Sequence, residues 1–368
     1  MTIRDEARTK GQRVTEYLQR KGLEGVLLSR VDNFAWFTCG GQNHVSVAAE
    51  AGVGSVLFMD GRRFLLTNNI EMPRLLNEET GGIKYITFNW PWHDDARRDE
   101  LIGKLIAGRR IVSDDGLLGT PRLERDFVEL RYSLTEAEVA RYRALGRDCG
   151  AAMEEVCAGI KKGQKECEIA GAISSAFMDY NIHPTVVLIA ADDRIEKYRH
   201  PIFTEKKVKK CVMVVMCGRR NGLILSLTRL VHFGKLSKEL RRKHDAVCAV
   251  DAAYILSSGI GTCVADILKN GIAVYRERGY ADEWQLHHQG GPTGYGGRDY
   301  RATPTEARRL VPNQALAWNP SITGTKSEDT TLALAGKVDF LSQPSKKWPC
   351  VLAEYKGKKI RRADILVK

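Results

Sequence analysis

Apolar positions in the first third of the chain recur with two different periods, which predicts helices that alternate with short strands. Residues 8–21 place their apolar side chains on one helical face, and residues 25–29 then form a short apolar run of strand length. A second helical pattern covers residues 99–106. This alternation predicts an α/β domain over residues 1–132. Its other predicted strands are residues 54–58, 64–67, 85–88 and 110–113.

A second domain is predicted over residues 133–368. Thr135 and Glu138 have the spacing of a capping box, and a helical apolar stripe follows them as far as Val156. The strongly apolar runs beyond this helix are typical of central strands in a sheet that is covered by helices. The predicted helices are residues 166–180, 238–259 and 264–279, and the predicted strands are residues 185–189, 211–216, 222–231, 315–318 and 330–334.

Length and composition indicate a globular, cytoplasmic protein. The chain has 368 residues, of which 43% are hydrophobic and 28% charged, and this length is sufficient for two domains. The first residues are charged and lack the apolar run of a signal peptide. Asp251 and Asp266 interrupt the most apolar stretches, so no association with a membrane is expected. Nine cysteines without metal-binding spacing predict reduced thiols rather than a disulfide framework or a zinc site.

The formal charge of +12 raises the question of a nucleic-acid partner. The basic clusters, at residues 206–210, 241–243 and 356–362, are short and lack interleaved aromatic residues. We therefore expect no nucleic-acid partner and interpret these clusters as solvated faces. A basic surface that attracts a carboxylate-bearing small molecule is the functional alternative.

Residues 284–299 combine two adjacent histidines, His287 and His288, with five glycines and the pair Arg298 and Asp299. Glycine allows the main chain to take unusual conformations and to approach a ligand closely. The stretch therefore predicts a loop that places polar groups close to backbone. A glycine-rich turn with surface histidines is the structural alternative.

Several short sequence motifs follow one another in a particular order along the chain. They are Leu134-Thr135-Glu136, Tyr198-Arg199-His200-Pro201 with Thr204, Leu227-Thr228-Arg229, the histidine–glycine stretch, Asn319-Pro320 and Ser327-Glu328-Asp329-Thr330. This order resembles the pita-bread superfamily of creatinase, prolidase, aminopeptidase P and methionine aminopeptidase, and the resemblance covers nearly the whole chain. It implies an α/β N-terminal domain followed by an α+β pita-bread C-terminal domain.

The metallopeptidases of that group bind two metal ions through two aspartates, one histidine and two glutamates. In this chain the aspartate positions fall near Val215 and at Ser226, the histidine position falls near Gly291, and the first glutamate position is Asn319. Only Glu328 stands where a ligand is expected. A single carboxylate with neutral neighbours is a poor site for two metal ions, so we expect no metal and no other cofactor.

Creatinase has the same fold and works without metal, which suggests roles for the residues that remain. His200 resembles its proton-transferring histidine, and Arg298 resembles its carboxylate-binding arginine. His287 is the counterpart of a second active-site histidine, and Glu328 would orient or stabilise a catalytic histidine. Thr228 and Asn319 replace creatinase glutamates, so creatine itself is not the expected substrate. The further substrate-binding candidates are His288, Thr228, Asn319, Tyr295 and His44.

Each candidate also has a structural explanation. His200 is also consistent with a hydrogen-bonded residue at the end of a strand. Arg298 is also consistent with a residue that pairs only with Asp299, and Glu328 with a residue that caps a turn. The favoured function is metal-independent hydrolysis of a C–N bond in a small carboxylate-bearing substrate. The alternatives are an inactive peptidase homologue that binds a peptide or protein, and an Xaa-Pro peptidase with an atypical site. The resemblance also implies a homodimer in which residues 40–46 lie near the neighbouring subunit's site.

Overall fold

The computed structural model describes residues 1–334 and 337–368, which form two compact units. The first unit contains residues 1–131, 135–137 and 221–223, and the second contains residues 132–134, 138–220 and the described residues from 224 onwards. Within the described residues, no helix combines the length and the apolar character needed to cross a membrane. All nine cysteines are free thiols.

A five-stranded mixed sheet in the order β4-β3-β2-β1-β5 forms the centre of the first unit. Leu27, Leu57 and Leu66 from three neighbouring strands pack with Ile102 of the helix before β5, and all four are at most 2% exposed. The predicted α/β alternation is confirmed here. The strands are β1 (Gly25–Arg30), β2 (Ala51–Met59), β3 (Arg62–Asn68), β4 (Ile86–Trp90) and β5 (Ile111–Ser113). The helices are α1 (Ile3–Lys21), α2 (Val31–Phe37), α3 (Met72–Arg74), which continues into a π-helical turn (Leu75–Glu79), and α4 (Asp95–Ile106).

Five helices belong to the second part of the chain: α5 (Glu136–Gly159), α6 (Glu166–Asp179), α7 (Asp193–Lys197), α8 (Lys238–Ser257) and α9 (Val264–Glu277). Helix α8 is buried along most of its length, because it packs against α9 on one side and against strands on the other. His244 and Asp251 are seven residues apart on α8 and therefore project from the same face. That face contacts the segment around residues 325–327, which carries part of the candidate site.

Two four-stranded sheets, a two-stranded pair and a two-stranded hairpin complete the second unit. The sheets have the orders β14-β13-β10-β9 and β17-β8-β7-β6. The strands are β6 (His183–Ala191), β7 (Cys211–Arg220), β8 (Leu223–His232), β9 (Gly290–Thr293), β10 (Gln314–Trp318), β11 (Ser321–Ile322), β12 (Thr325–Lys326), β13 (Asp329–Leu334), β14 (Lys337–Phe340), β15 (Cys350–Tyr355), β16 (Lys358–Ala363) and β17 (Leu366–Val367). The prediction of three central strands is wrong for β6, which is an edge strand.

The basic cluster near the C-terminus is also not wholly solvated, contrary to the sequence-based interpretation. It lies on β16, where Arg361 is exposed but Arg362 is 0% exposed. The alternation of side chains along a strand explains the difference between these neighbours. Arg362 contacts Asp251 of α8 at 2.6 Å and Asp329 of β13 at 2.9 Å, so its charge is compensated inside the unit.

Candidate active site

Three histidines from two separate segments come together in the second unit. His200 follows α7 and is exposed, whereas His287 and His288 lie between a short 3₁₀ turn (Glu283–Leu286) and β9. The Nε2 atoms of His200 and His287 are 3.2 Å apart, and one nitrogen of each of the three rings lies within 4.8 Å of the others. The Nδ1 atom of His287 lies 3.3 Å from the hydroxyl of Ser321. His287 is therefore held from both sides of its ring.

Burial and neighbouring cations lower the pKa of all three histidines. Burial is the largest cause in each case. Lys326 is the next cause for His200 and His287, whereas Arg298 is the next cause for His288. The pKa of His288 falls to about 4, and that of His287 falls further still. The three rings are consequently neutral at pH 7 and able to accept protons.

Glu328 is a buried carboxylate that is surrounded by donors. Its Oε2 atom accepts a hydrogen bond from Thr228 at 2.7 Å and lies 2.7 Å from the ammonium of Lys326. Arg298 approaches Oε1 at 3.4 Å. Burial alone would raise the pKa of Glu328, but Lys326 and Arg298 together hold it below its usual value. Glu328 is therefore ionised at neutral pH without any metal ion.

Arg298 is engaged only loosely by its neighbours. Its Nη2 atom lies 3.4 Å from Glu328 and its Nη1 atom lies 3.5 Å from the hydroxyl of Ser226, both longer than the usual 2.7–3.2 Å of an N–H···O hydrogen bond. Its Nε atom is buried and has no hydrogen-bond partner among the described residues. Only the bond to the carbonyl of Gly297, at 2.6 Å, is short. Most of this guanidinium fork can therefore turn to another anion.

Two glycines of the predicted loop have conformations and surroundings that require glycine. Gly290 and Gly291 have φ values of 95° and 139°, which favour glycine. A Cβ atom on Gly290 would lie 2.2 Å from the carbonyl oxygen of Ala317, and one on Gly291 would lie 2.9 Å from the carbonyl oxygen of Tyr300. Gly290 and Gly291 therefore allow the loop to approach neighbouring backbone closely.

The side chains at the expected metal positions do not fit a pair of metal ions. Ser226 offers a hydroxyl where a carboxylate is needed, and this hydroxyl lies 3.1 Å from the thiol of Cys217. Val215 packs in an apolar cluster. The tight backbone around Gly291 leaves no room for a histidine there. The remaining carboxylate, Glu328, is already paired with two cations.

Three other predicted residues lie in different environments. Tyr295 is buried, and its hydroxyl donates to Glu138 at 2.7 Å. Asn319 is 3% exposed beside Gly290, and its Oδ1 atom is buried without a hydrogen-bond partner in the described part of the chain. His44 belongs to the first unit, where its Nδ1 atom lies 3.1 Å from the carbonyl of Gln42. Its role at a neighbouring subunit's site stays a prediction.

Sequence reasoning missed Lys326, although the residue directly precedes the motif Ser327-Glu328-Asp329-Thr330. Lys326 is 4% exposed and precedes Glu328 by two residues. The intervening Ser327 donates to Asp251 at 2.5 Å, and Thr325 contacts His244 at 2.7 Å, so α8 fixes this segment from the other side. Alternation then turns Lys326 and Glu328 together towards the histidines. The spacing of two residues in an extended segment was the signal that could have found it.

Comparisons with known proteins agree with this architecture. The model of metallopeptidase family M24 matches residues 140–347. The structure is similar to an Xaa-Pro dipeptidase from Bacillus anthracis, with a TM-score of 0.78 and 15% sequence identity over 98% of this chain and 100% of that chain. A prolidase from Pyrococcus horikoshii OT3 is similar with a TM-score of 0.77 and 14% sequence identity, over 92% of this chain and 99% of that chain. The N-terminal domain of the FACT complex subunit SPT16 from Cicer arietinum (chickpea) is similar with a TM-score of 0.71 and 10% sequence identity. This match covers 94% of this chain and 98% of that chain.

The fold is therefore the pita-bread fold of prolidases, with an α/β N-terminal unit, as the sequence predicted. Because the family model covers more than half of its length, the chain belongs to metallopeptidase family M24, a family of peptidase-like hydrolases. The structural likenesses are at low sequence identity and support the fold alone. No curated protein matches the sequence.

Proposed function

We propose that the protein is a metal-independent hydrolase that cleaves a C–N bond in a small carboxylate-bearing substrate. One observation carries the proposal: His200 and His287 share a 3.2 Å contact in a group of three rings whose pKa values are lowered, and Arg298 and Lys326 are among the charges that lower them. The site therefore combines neutral bases with cations that attract a carboxylate.

His200 is the proposed base because it is the exposed member of the three histidines. In the arrangement in which His287 accepts a hydrogen bond from Nε2 of His200, Nδ1 of His200 is free to take a proton from water. The resulting hydroxide attacks the carbon, the C–N bond breaks, and the proton passes from His200 to the leaving nitrogen. His287 is the positioning residue that selects this tautomer of His200.

Arg298 is the proposed anchor for the substrate carboxylate. Its long contacts with Glu328 and Ser226 are weak, so a carboxylate with better geometry can replace them. Glu328 keeps Lys326 and Thr228 as partners when Arg298 turns towards the substrate. The anchor can therefore move without leaving a buried charge unpaired.

The proposal is tested by calorimetric binding of small amino acids, guanidino acids and Xaa-Pro dipeptides, followed by turnover assays on every compound that binds. Arg298→Lys keeps the charge but loses the planar fork, so weaker binding should dominate. His200→Asn keeps some hydrogen bonding but cannot take a proton, so turnover should fall about a hundredfold or more while affinity remains.

Each variant has a result that counts against its assigned role. Full turnover in His200→Asn removes the proposed base. Unchanged carboxylate affinity in both Arg298→Lys and Arg298→Ala removes the anchor. Turnover of Xaa-Pro dipeptides only after metal is added would support the peptidase alternative instead.

A binding module is the second candidate, and exposed apolar side chains favour it. Tyr198, Ile202 and Phe203 flank His200 and are 49%, 71% and 41% exposed. Exposed apolar groups that are close together are typical of surfaces that contact a peptide or protein. If the acids or dipeptides bind to the wild type without any turnover, this candidate replaces the hydrolase.

A further inference from the structure

The three histidines have the spacing of a mononuclear metal site, which is a different set of donors from that of family M24. Two nitrogens that each lie 2.0–2.1 Å from a tetrahedral zinc ion are separated by about 3.3 Å. The Nε2 atoms of His200 and His287 are 3.2 Å apart, and a nitrogen of His288 lies within 4.8 Å of both. The nitrogen of His288 would have to lie closer to the other two to complete a three-histidine set.

The charges around these rings oppose the binding of a cation. Among the neighbouring charges, Lys326 lowers the pKa of His200 and His287 the most. Arg298, Arg301 and Arg199 also lower the pKa of members of the cluster. Glu328 is the carboxylate that acts on His200. Arg199 is paired with Glu283 at 2.6 Å, and Arg301 is exposed and so largely screened by solvent.

Lys326 differs from the three arginines because it cannot move away. Its side chain is 4% exposed, and its ammonium lies 2.7 Å from Glu328. Helix α8 holds the neighbouring residues Thr325 and Ser327 through His244 and Asp251. The positive charge of Lys326 is therefore a fixed part of the site.

We propose that Lys326 is an internal cation that keeps divalent metal ions off His200, His287, His288 and Glu328. It also supplies Glu328 with the positive partner that a metal ion provides in a metalloenzyme. This inference deepens the proposed function, since it rests on that function's metal independence.

Cobalt(II) provides a direct test, because tetrahedral Co²⁺ with imidazole ligands absorbs visible light and no substrate is needed. Wild-type protein, Lys326→Met and the double variant Lys326→Met/His287→Asn are titrated with Co²⁺ after chelator treatment. We expect wild type to show no stoichiometric binding. Lys326→Met should bind one equivalent about a hundredfold or more tightly, because a like charge has been removed from the site. The double variant should lose this binding.

Two further variants control for charge and for folding. Lys326→Arg keeps the positive charge and should exclude Co²⁺ as wild type does, whereas Lys346→Met removes a lysine that is exposed on the surface and should change nothing. Lys326→Gln removes the charge but retains a donor for Glu328, and it replaces the methionine variant if circular dichroism shows that the latter is unfolded.

Two results would overturn the inference. One is tight, stoichiometric Co²⁺ binding by wild type. The other is a folded Lys326→Met or Lys326→Gln protein that binds no more Co²⁺ than wild type. Neither result depends on turnover. The first would also remove the metal independence of the proposed hydrolase, whereas the second would overturn the role of Lys326 alone. Conversely, metal exclusion by Lys326 in a protein that turns over no acid would remove the hydrolase proposal alone.

Discussion

His244 is a fully buried histidine that connects α8 to the segment carrying Lys326. Its Nδ1 atom lies 2.7 Å from the hydroxyl of Thr325, and its Nε2 atom lies 3.1 Å from the carbonyl of Ala363. Burial lowers the pKa of His244 to about 4, although the nearby carboxylate of Asp364 opposes this shift, and Arg241 and Arg362 contribute to it. Between about pH 4 and pH 6.5, the native state therefore holds a neutral imidazole where the unfolded chain holds a protonated one.

This difference predicts a loss of stability in mild acid. The unfolded chain gains a proton on His244 below about pH 6.5, whereas the native state gains it only below about pH 4. The free energy of unfolding therefore decreases by about 3 kcal/mol as the pH falls from 6.5 towards 4, and His244 causes no such loss above pH 6.5. Urea unfolding at pH 7.5, 6, 5 and 4 measures it. His244→Gln should show a shallower pH dependence than wild type, and identical slopes for the two proteins would contradict this assignment.

At the scale of single residues, the sequence identified the titratable groups but not the charge balance among them. His200, His287, His288, Arg298, Glu328 and Thr228 do lie together, as their order in the sequence suggested. Lys326 escaped notice because lysine is rarely buried, so the two-residue spacing from Glu328 was not interpreted as a buried pair. Its ion-pair partner Glu328 is only two residues away, but the histidines on which its charge acts come from distant parts of the chain.

At the scale of elements, the alternation of side chains along the extended segment 325–330 separates two sets of charges. Lys326 and Glu328 face the histidines, whereas Ser327 and Asp329 face α8 and β16. Asp329 lies between Arg229 and Arg362, at 3.1 Å and 2.9 Å. One short segment therefore carries both part of the candidate site and part of the buried ionic network behind it.

This network predicts a large difference between two adjacent arginines on β16. Arg362→Leu leaves the buried carboxylate of Asp251 without its guanidinium partner and deprives Asp329 of one of two, so we expect a loss of about 3–5 kcal/mol. Arg361→Leu is the matched control: Arg361 is exposed, and we expect a change within about 0.5 kcal/mol. Urea unfolding at pH 7 compares the two. Similar midpoints for both variants would show that the network contributes little.

The sequence predicted the existence of most elements, but not the position of each strand within its sheet. Apolar runs correctly indicated β6, β7 and β8, yet β6 lies at an edge and exposes Val186. The hairpin β15–β16 was missed; four of the six residues of β16 are charged, although β15 is mostly apolar. Burial of Arg362 inside that hairpin depends on partners from α8 and β13, which periodicity alone cannot reveal.

At the scale of the whole molecule, the pita-bread fold is retained, while Ser226 and Asn319 stand at positions where the resemblance to the family implies metal-binding carboxylates. The buried ionic network of Asp251, Arg229, Asp329 and Arg362 lies behind the site rather than in it. The donor positions are therefore free to change without loss of the fold. This separation explains why the order of sequence motifs predicted the architecture correctly while leaving the chemistry open.

The homodimer implied by the family resemblance is a further prediction at this scale. Residues 40–46 of the first unit include Val45, which is 69% exposed, and a side chain of this kind favours a surface that a partner covers. Light scattering at micromolar concentration should give about twice the mass of one chain. Val45→Asp would place a charge on the covered surface and should shift the equilibrium towards monomer, whereas Ile70→Asp, at a residue that is 57% exposed elsewhere in the same unit, should not. A monomeric wild type would remove both the dimer and the role of His44 at a neighbouring site.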